Sequence, residues 1–458
     1  MEGLYYQIEE EQVRINKLKK FLILLLIILL PYHHMVISVL LQDFGFLKFW
    51  KEAVIAILVA ITFFEQIIGK KRVKFNLVEW LSVLFIVIMT VYTIISDNRY
   101  QAAYIARIYV MPVMLIFVVR RMNIDKEDIR KTMEAVIINT VILSVWGVFQ
   151  AQILGDGFLI NLGYQTQRVS HMIKLKNEFY MLGGNFMQRV TSTFAAPNTF
   201  GMYLAMVITF MTYLKKGLGI NIKLYYISAG IFVATLILTF SRTSWICCVV
   251  ALILFYIEYI NWTKQMWIRI IKITIACGLI FVVADLVILR TGIVSGMYRL
   301  IFNTITGRDS SLIGHITSFG GSIVKVVKNP LGLGLGNNGP RAKVFMSKPN
   351  LVESSYSLMA YEVGIIGMAV YFAAYFVALR DNIRIFREDK SKFILSVRGV
   401  ILIMLVGFLS LPFIQDFELT VFTYIYIALQ YIDGVSGKGI KGKEDAGSIT
   451  GRRIGNKA

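Results

Sequence analysis

Three short segments combine charge with hydroxyls in a way that suits chemistry on a phosphate-linked substrate. Thr239-Phe240-Ser241-Arg242-Thr243-Ser244-Trp245 sets an arginine between two apolar runs. Thr306-Gly307-Arg308-Asp309-Ser310-Ser311 sets a second arginine ahead of Leu312, Ile313, Ile316, Phe319, Ile323, Val326 and Val327, which recur at spacings of three and four. Glu353-Ser354-Ser355-Tyr356 sets a carboxylate at the start of another apolar run. Arginine meets phosphate oxygens with a planar fork and keeps its charge at every relevant pH. A carboxylate can take the proton of an attacking hydroxyl. Each segment also has a plainer reading. Arg242 could snorkel to lipid phosphate, Arg308 could be a solvated charge on an interfacial helix, and Glu353 could be an ordinary interfacial acid.

The elements that must position these residues are membrane spans. Of 458 residues, 57% are hydrophobic and only 17% charged. A soluble chain would carry about 25% charge and about 45–50% apolar residues. A globular cytosolic enzyme and a disordered chain are both excluded. A membrane helix needs about 20 apolar residues. Twelve segments come near this: 21–40, 53–69, 77–95, 102–119, 134–154, 199–214, 224–240, 245–260, 273–289, 356–379, 393–413 and a short one at 419–432. The expected fold is thus an all-α membrane protein over 1–433, with a basic, disordered cytoplasmic tail at 434–458.

Lysine and arginine orient the spans, because inner loops collect positive charge. With both termini cytoplasmic, the inner loops hold Lys70, Lys71, Arg72 and Lys74, then Arg120, Arg121, Lys126, Arg130 and Lys131, and so on along the chain. The short outer loops hold only Lys48, Lys51, Arg99 and Arg242. The net charge of +20 is therefore topological and implies no nucleic acid. Two long loops, 155–198 and 290–355, fall on the outer side. The apolar pattern from Leu312 to Val327 makes part of the second an amphipathic helix lying on the membrane surface and ending at Asn329-Pro330.

Ionisable residues in the spans lie near helix ends. Glu65, Glu79, Arg107, Asp285 and Arg398 can snorkel or pair locally, Glu65 with Lys70 and Asp285 with Arg290; Glu362 is the deepest. With no file of charges crossing the bilayer, an ion-coupled pump is disfavoured. His33, His34, His171 and His315 share no metal-ligand spacing and read as packing or interfacial residues. The three cysteines, Cys247, Cys248 and Cys277, sit in apolar runs and imply no disulfide framework. Gly334-Leu335-Gly336-Asn337-Asn338-Gly339 matches a dinucleotide-binding spacing, but it follows Asn329-Pro330 in an outer loop rather than a strand. It reads as a flexible turn that lets the backbone approach a ligand or the membrane.

Over about 185–370 the chain resembles the O-antigen polymerase and O-antigen ligase superfamily of multispanning bacterial glycosyltransferases. Four segments carry the resemblance, in the family's order. Arg189 to Gly201, with Phe194, Pro197 and Asn198, is similar to its Arg and F-x-x-P-N stretch. Leu238 to Trp245 is similar to its T-x-S-R-x-x-W turn. Gly307-Arg308 with the helix and Asn329-Pro330-Leu331-Gly332-Leu333-Gly334 is similar to its G-R, helix, P-x-x-G-x-G run. Glu353 to Gly367 is similar to its segment closing on E-x-G-x-x-G. The ligases have histidine where Glu353 stands, so the resemblance is closer to the polymerase branch.

The resemblance implies a bacterial inner-membrane polysaccharide polymerase. Its donor is a glycan on polyprenyl (undecaprenyl) pyrophosphate and its acceptor a lipid-linked oligosaccharide repeat unit, with inversion at the sugar. Glu353 is then expected as general base, with Arg308 and Arg242 on the pyrophosphate. Arg189, Asn198 and Tyr356 are expected to line the substrate site. No cofactor is expected. No metal is expected either, since the outer loops lack an Asp-x-Asp pair; Asp416-Phe417-Glu418 is the one pair of acids that argues otherwise. Membrane lipid is an expected partner, and a chain-length regulator and a flippase are candidate ones. A ligase acting by the same chemistry and a lipid-linked oligosaccharide flippase or exporter are the alternatives.

Overall fold

A computed structural model describes residues 2–41, 43–68, 74–169, 172–181, 187–214, 221–259, 310–346 and 352–432, with scattered positions between 268 and 308. The expected span at 273–289, the Asp285–Arg290 pair and the tail fall largely or wholly outside the described residues.

The described chain is mainly helical: α1 (Glu2–Leu29), α2 (Trp50–Ile68), α3 (Leu77–Ile95), α4 (Arg99–Val119), α5 (Lys126–Phe149), α6 (Gly155–Asn161), α7 (Pro197–Leu214), α8 (Ile222–Leu238), α9 (Arg242–Tyr259), α10 (Ser310–Lys328), α11 (Ser355–Asp389), α12 (Lys392–Ser410) and α13 (Phe417–Leu429). Among the described residues, six helical stretches are long and apolar enough to cross a membrane: Glu10–Ile37, Leu77–Ile95, Arg99–Val119, Lys126–Asn161, Ser355–Asp389 and Lys392–Ser410. This is the architecture of a multi-pass membrane protein. Phe63, Phe64, Ile67, Trp80, Val87 and Ile94 stay exposed on the outside of α2 and α3, where lipid rather than water would suit them. One large core of buried residues, with Tyr109, Tyr203, Tyr375 and Tyr424 among the bulkiest, joins the bundle.

Helix limits follow local chemistry. Asn76 and Asp125 cap α3 and α5 by accepting from the backbone N–H groups of Glu79 and Asp128, whose side chains bond back. Pro197 opens α7, where its missing N–H costs nothing. Pro31 lies between α1 and the loosely wound turn His33–Leu40, which carries the first stretch toward its end. α10 ends before Asn329-Pro330, as the sequence indicates. Its Ile313, Ile323 and Val327 are exposed.

Two features depart from the sequence reading. The first long loop contains an antiparallel pair of strands, β1 (Thr166–Val169) and β2 (Met172–Leu175), with Thr166 opposite Leu175. They rest with Leu159, Tyr164, Phe179 and Val39 in a small separate core. The charged residues near helix ends also pair across the bundle rather than locally. Glu65 takes Lys19 at 2.5 Å, Glu79 takes Arg120 and Arg121, Arg398 takes Glu258, and Lys20 takes Asp128. Lys70 lies outside the described residues. These pairs lace one end of the bundle, and the long loops gather at the other.

Candidate functional site

At the loop end, one corner is built around Arg189. Its Nε donates to the Thr239 carbonyl at 2.7 Å, one terminal nitrogen to the Glu178 carbonyl at 2.9 Å, and the other to Asn198 Oδ1 at 2.5 Å. The side chain thereby ties the first long loop to the α8–α9 turn and to the start of α7. Burial pulls Arg189 down to about 10, Glu178 opposes this, and the Arg242 charge adds to the lowering. Arg242 is thus a near neighbour of Arg189. The guanidinium of Arg189 is engaged by protein acceptors, so the structure gives it and Asn198 a fastening role.

Arg242 is the first residue of α9 and is partly exposed. Phe240 adopts φ 48° in the turn before it, and Ser241 Oγ lies 2.7 Å from Ser244 Oγ. The next residue, Thr243, meets Ser410 at the end of α12, Oγ1 to Oγ 2.9 Å. The Glu353 segment reaches the same end of α12. Ser354 Oγ donates to the Phe408 carbonyl at 3.0 Å, and Ser355 Oγ to the Leu411 carbonyl at 2.8 Å. The segments of Arg242 and Glu353 therefore meet at one helix end, and both residues are partly exposed. Tyr356, one helical turn on, faces inward: its hydroxyl donates to the Leu405 carbonyl at 3.1 Å and its ring stacks 4.1 Å from Phe372. Arg308 is exposed ahead of α10, its backbone N–H donating to Asn303. No contact described for it reaches Arg242 or Glu353.

The glycine run and the E-x-G-x-x-G segment turn out to be mates. α11 is broken at Val363-Gly364, with Gly364 at φ 71°. The Pro330–Gly336 segment fills that break. Ile365 N–H donates to the Pro330 carbonyl at 2.9 Å, and Leu333 N–H to the Tyr361 carbonyl at 2.5 Å. A Cβ on Gly332 would lie 2.6 Å from Gly364 N, so the approach is backbone on backbone. Glu362, wholly buried, accepts from Gly336 N–H at 3.1 Å and from the Tyr109 hydroxyl. Gln415 Nε2 donates to that hydroxyl in turn at 3.0 Å. The deepest acid is therefore neither snorkelling nor ion-paired; it anchors the loop.

Beside this, the fold assembles a charged cluster from residues the sequence reading left dispersed. Arg107 of α4 lies 3.4 Å from Glu52 of α2, its guanidinium 4.6 Å over Phe49 and 4.5 Å over Tyr104. Lys51 lies 3.5 Å from Glu52 and touches His33. The Arg341 charge acts on Lys51, His33, His34 and Asp416 together. Burial, and next the Glu418 charge, push the Asp416 carboxyl up to about 7, while a bond from Thr199 Oγ1 at 2.7 Å opposes them. The cluster is linked to the Glu353 segment through the turn after α12, since Ile414 N–H donates to Ser355 Oγ at 3.2 Å and Arg341 N–H to Gln415 Oε1 at 3.2 Å. A signal for it existed: Lys51 is one of the four cations that the sequence reading assigns to short outer loops, and Arg107 one of the few charges it finds inside a span.

Among the described residues, no three or more His, Cys, Asp or Glu side chains converge as a metal site. Comparison with known families and with curated proteins finds no match for the chain.

Proposed function

We propose that the chain is a polysaccharide polymerase of the bacterial inner membrane. It has twelve spans and cytoplasmic termini, and its 155–198 and 290–355 loops are external. A hydroxyl of a lipid-linked repeat unit attacks the anomeric carbon of a glycan held on polyprenyl pyrophosphate. The carbon–oxygen bond to pyrophosphate breaks as the new glycosidic bond forms, with inversion. Glu353 takes the hydroxyl proton, and Arg242 offsets charge on the departing pyrophosphate, which needs no separate acid. Arg308 reaches the lipid headgroup from the start of α10, whose exposed Ile313, Ile323 and Val327 suit a helix lying at the membrane surface.

The observation that carries this reading is that the segments holding Arg242 and Glu353 both bond to the same end of α12, through Thr243 on one and Ser354 and Ser355 on the other. The four motif segments support it further, because they touch in two pairs: the Arg189 stretch with the Arg242 turn, and the glycine run with the segment that follows Glu353. The test is polymerisation of a lipid-linked repeat by the purified protein. Glu353→Gln keeps shape but accepts no proton, so turnover should fall about 10²–10⁴-fold with donor binding kept. Arg242→Lys should weaken both donor affinity and turnover. A Glu353→Gln protein that polymerises at the normal rate would end the assignment. Glycan delivered to a lipid or protein acceptor, with no chain growth, would favour the ligase alternative.

A further inference from the structure

The charged cluster near the Glu353 segment contains a hydrogen-bond arrangement that constrains its protonation. Trp50 Nε1 lies 3.0 Å from His33 Nδ1. An indole N–H only donates, so Nδ1 must be the unprotonated acceptor. The neutral ring then carries its hydrogen on Nε2, which lies 2.9 Å from Lys51 Nζ. An ammonium has three donors and no lone pair, and two donors cannot face each other. Lys51 Nζ must therefore accept from Nε2–H, which requires a free amine. Its own N–H has an acceptor in the Lys48 carbonyl at 3.2 Å. Lys51 is only 7% exposed, so water does little to favour its charged form.

Around this amine stand buried polar atoms that make no hydrogen bond, one donor and two acceptors. Arg107 is clamped between the Phe49 and Tyr104 rings, and its buried Nε makes no hydrogen bond. Glu52 is within ion-pair reach of Arg107 and Lys51, yet its two buried oxygens accept no hydrogen bond. The groups that face Lys51 are His33, Glu52, Arg107, Arg341 and Glu418. With Lys51 neutral, Arg107 and Arg341 balance Glu52 and Glu418. We infer that Lys51, Arg107 and Arg341 line a subsite for a phosphate-type anion, and that Lys51 waits there as a free amine which takes a proton from solvent when the anion arrives. The arriving charge favours the ammonium; Lys51 then leaves His33 and donates to a phosphate oxygen. Only its identification with the lipid pyrophosphate rests on the polymerase reading.

Calorimetric titration of the detergent-solubilised full chain tests this. Inorganic pyrophosphate and farnesyl pyrophosphate are the two probes, each measured at mildly alkaline pH in two buffers of different ionisation enthalpy. The wild-type protein should take up about one proton per anion bound, as linkage requires when an amine becomes an ammonium. Lys51→Arg, permanently charged, should bind without uptake. Lys51→Met should bind more weakly, also without uptake, and serves if arginine does not fit. Binding of both probes marks a general phosphate site, and binding of the farnesyl probe alone marks a lipid headgroup site. Binding without proton uptake in the wild type, uptake unchanged in both variants, or no binding of either probe would overturn the inference. Uptake by a protein that does not polymerise lipid-linked repeats would instead retire the polymerase reading and leave this site standing.

Discussion

Gly364→Ala is the substitution whose cost can best be worked from the structure. Gly364 sits at φ 71° and ψ −179°, a region almost reserved for glycine, where a residue with a Cβ costs about 1–3 kcal/mol. The added Cβ would lie 2.6 Å from the Pro330 carbonyl oxygen and 2.7 and 2.9 Å from Leu331 C and Cα. These are backbone atoms, so the Pro330–Gly336 segment must move out of the break. That would open the Ile365–Pro330 and Leu333–Tyr361 hydrogen bonds, at about 1 kcal/mol each and more if left unmade inside the bundle. The sum is about 3–5 kcal/mol. Thermal unfolding in detergent can be followed with a thiol-reactive dye in a Cys277→Ser background, since Cys247 and Cys248 are 0% and 5% exposed and react only as the bundle opens. Gly230→Ala is the control: its Cβ meets nothing within 4 Å inside α8, so it should gain up to about 1 kcal/mol through helix propensity. An unfolding midpoint for Gly364→Ala equal to wild type would refute the docking of the loop into the broken helix.

Other outcomes follow from the same contacts. Arg189→Lys cannot reproduce three bonds on three acceptors; it should lose stability by about 2–4 kcal/mol, lowering the thiol-monitored midpoint along with activity, whereas Arg242→Lys should leave the midpoint unchanged. Asp416 has its pKa raised from 3.8 to about 7, so between those values the folded protein holds a proton that the unfolded chain has released. Its contribution to stability is greatest below that window and is lost as pH rises through it; Asp416→Asn should flatten this part of a midpoint-against-pH curve. Single cysteines at Lys343 and Arg387, in an otherwise cysteine-free chain, should react with an impermeant maleimide in intact cells at Lys343 only. Labelling at Arg387 alone would reverse the proposed orientation.

The sequence made the helices legible because a membrane span is written locally, as a long apolar run, and the ends of α3, α4, α10 and α12 follow that pattern closely. Pairing was not legible, because charge partners are set by which helices become neighbours. Glu65 looks toward Lys70 along the chain but meets Lys19, 46 residues away. The glycine run looked like a free turn, since nothing local says that a helix downstream is broken to receive it. Arg242 and Glu353 were singled out by type, and α12 is what brings their segments together. Lys51, Arg107 and Arg341 went unnoticed as a group, because each is ordinary in its own segment. The apolar spacing of β1 and β2 is only four residues long, too short to announce a strand in a chain dominated by helical runs.

Lys19 has a consequence for how the first two helices can move. It is 1% exposed, just ahead of the apolar run from Phe21, and its charge is met by Glu65 near the end of α2. Separating such a part-buried pair leaves a charge uncompensated. The pair therefore acts as a clasp: sliding α1 along α2, or turning it about its own axis, has to open the clasp first. The two helices thus behave as one lever, and a rearrangement of the bundle carries them together.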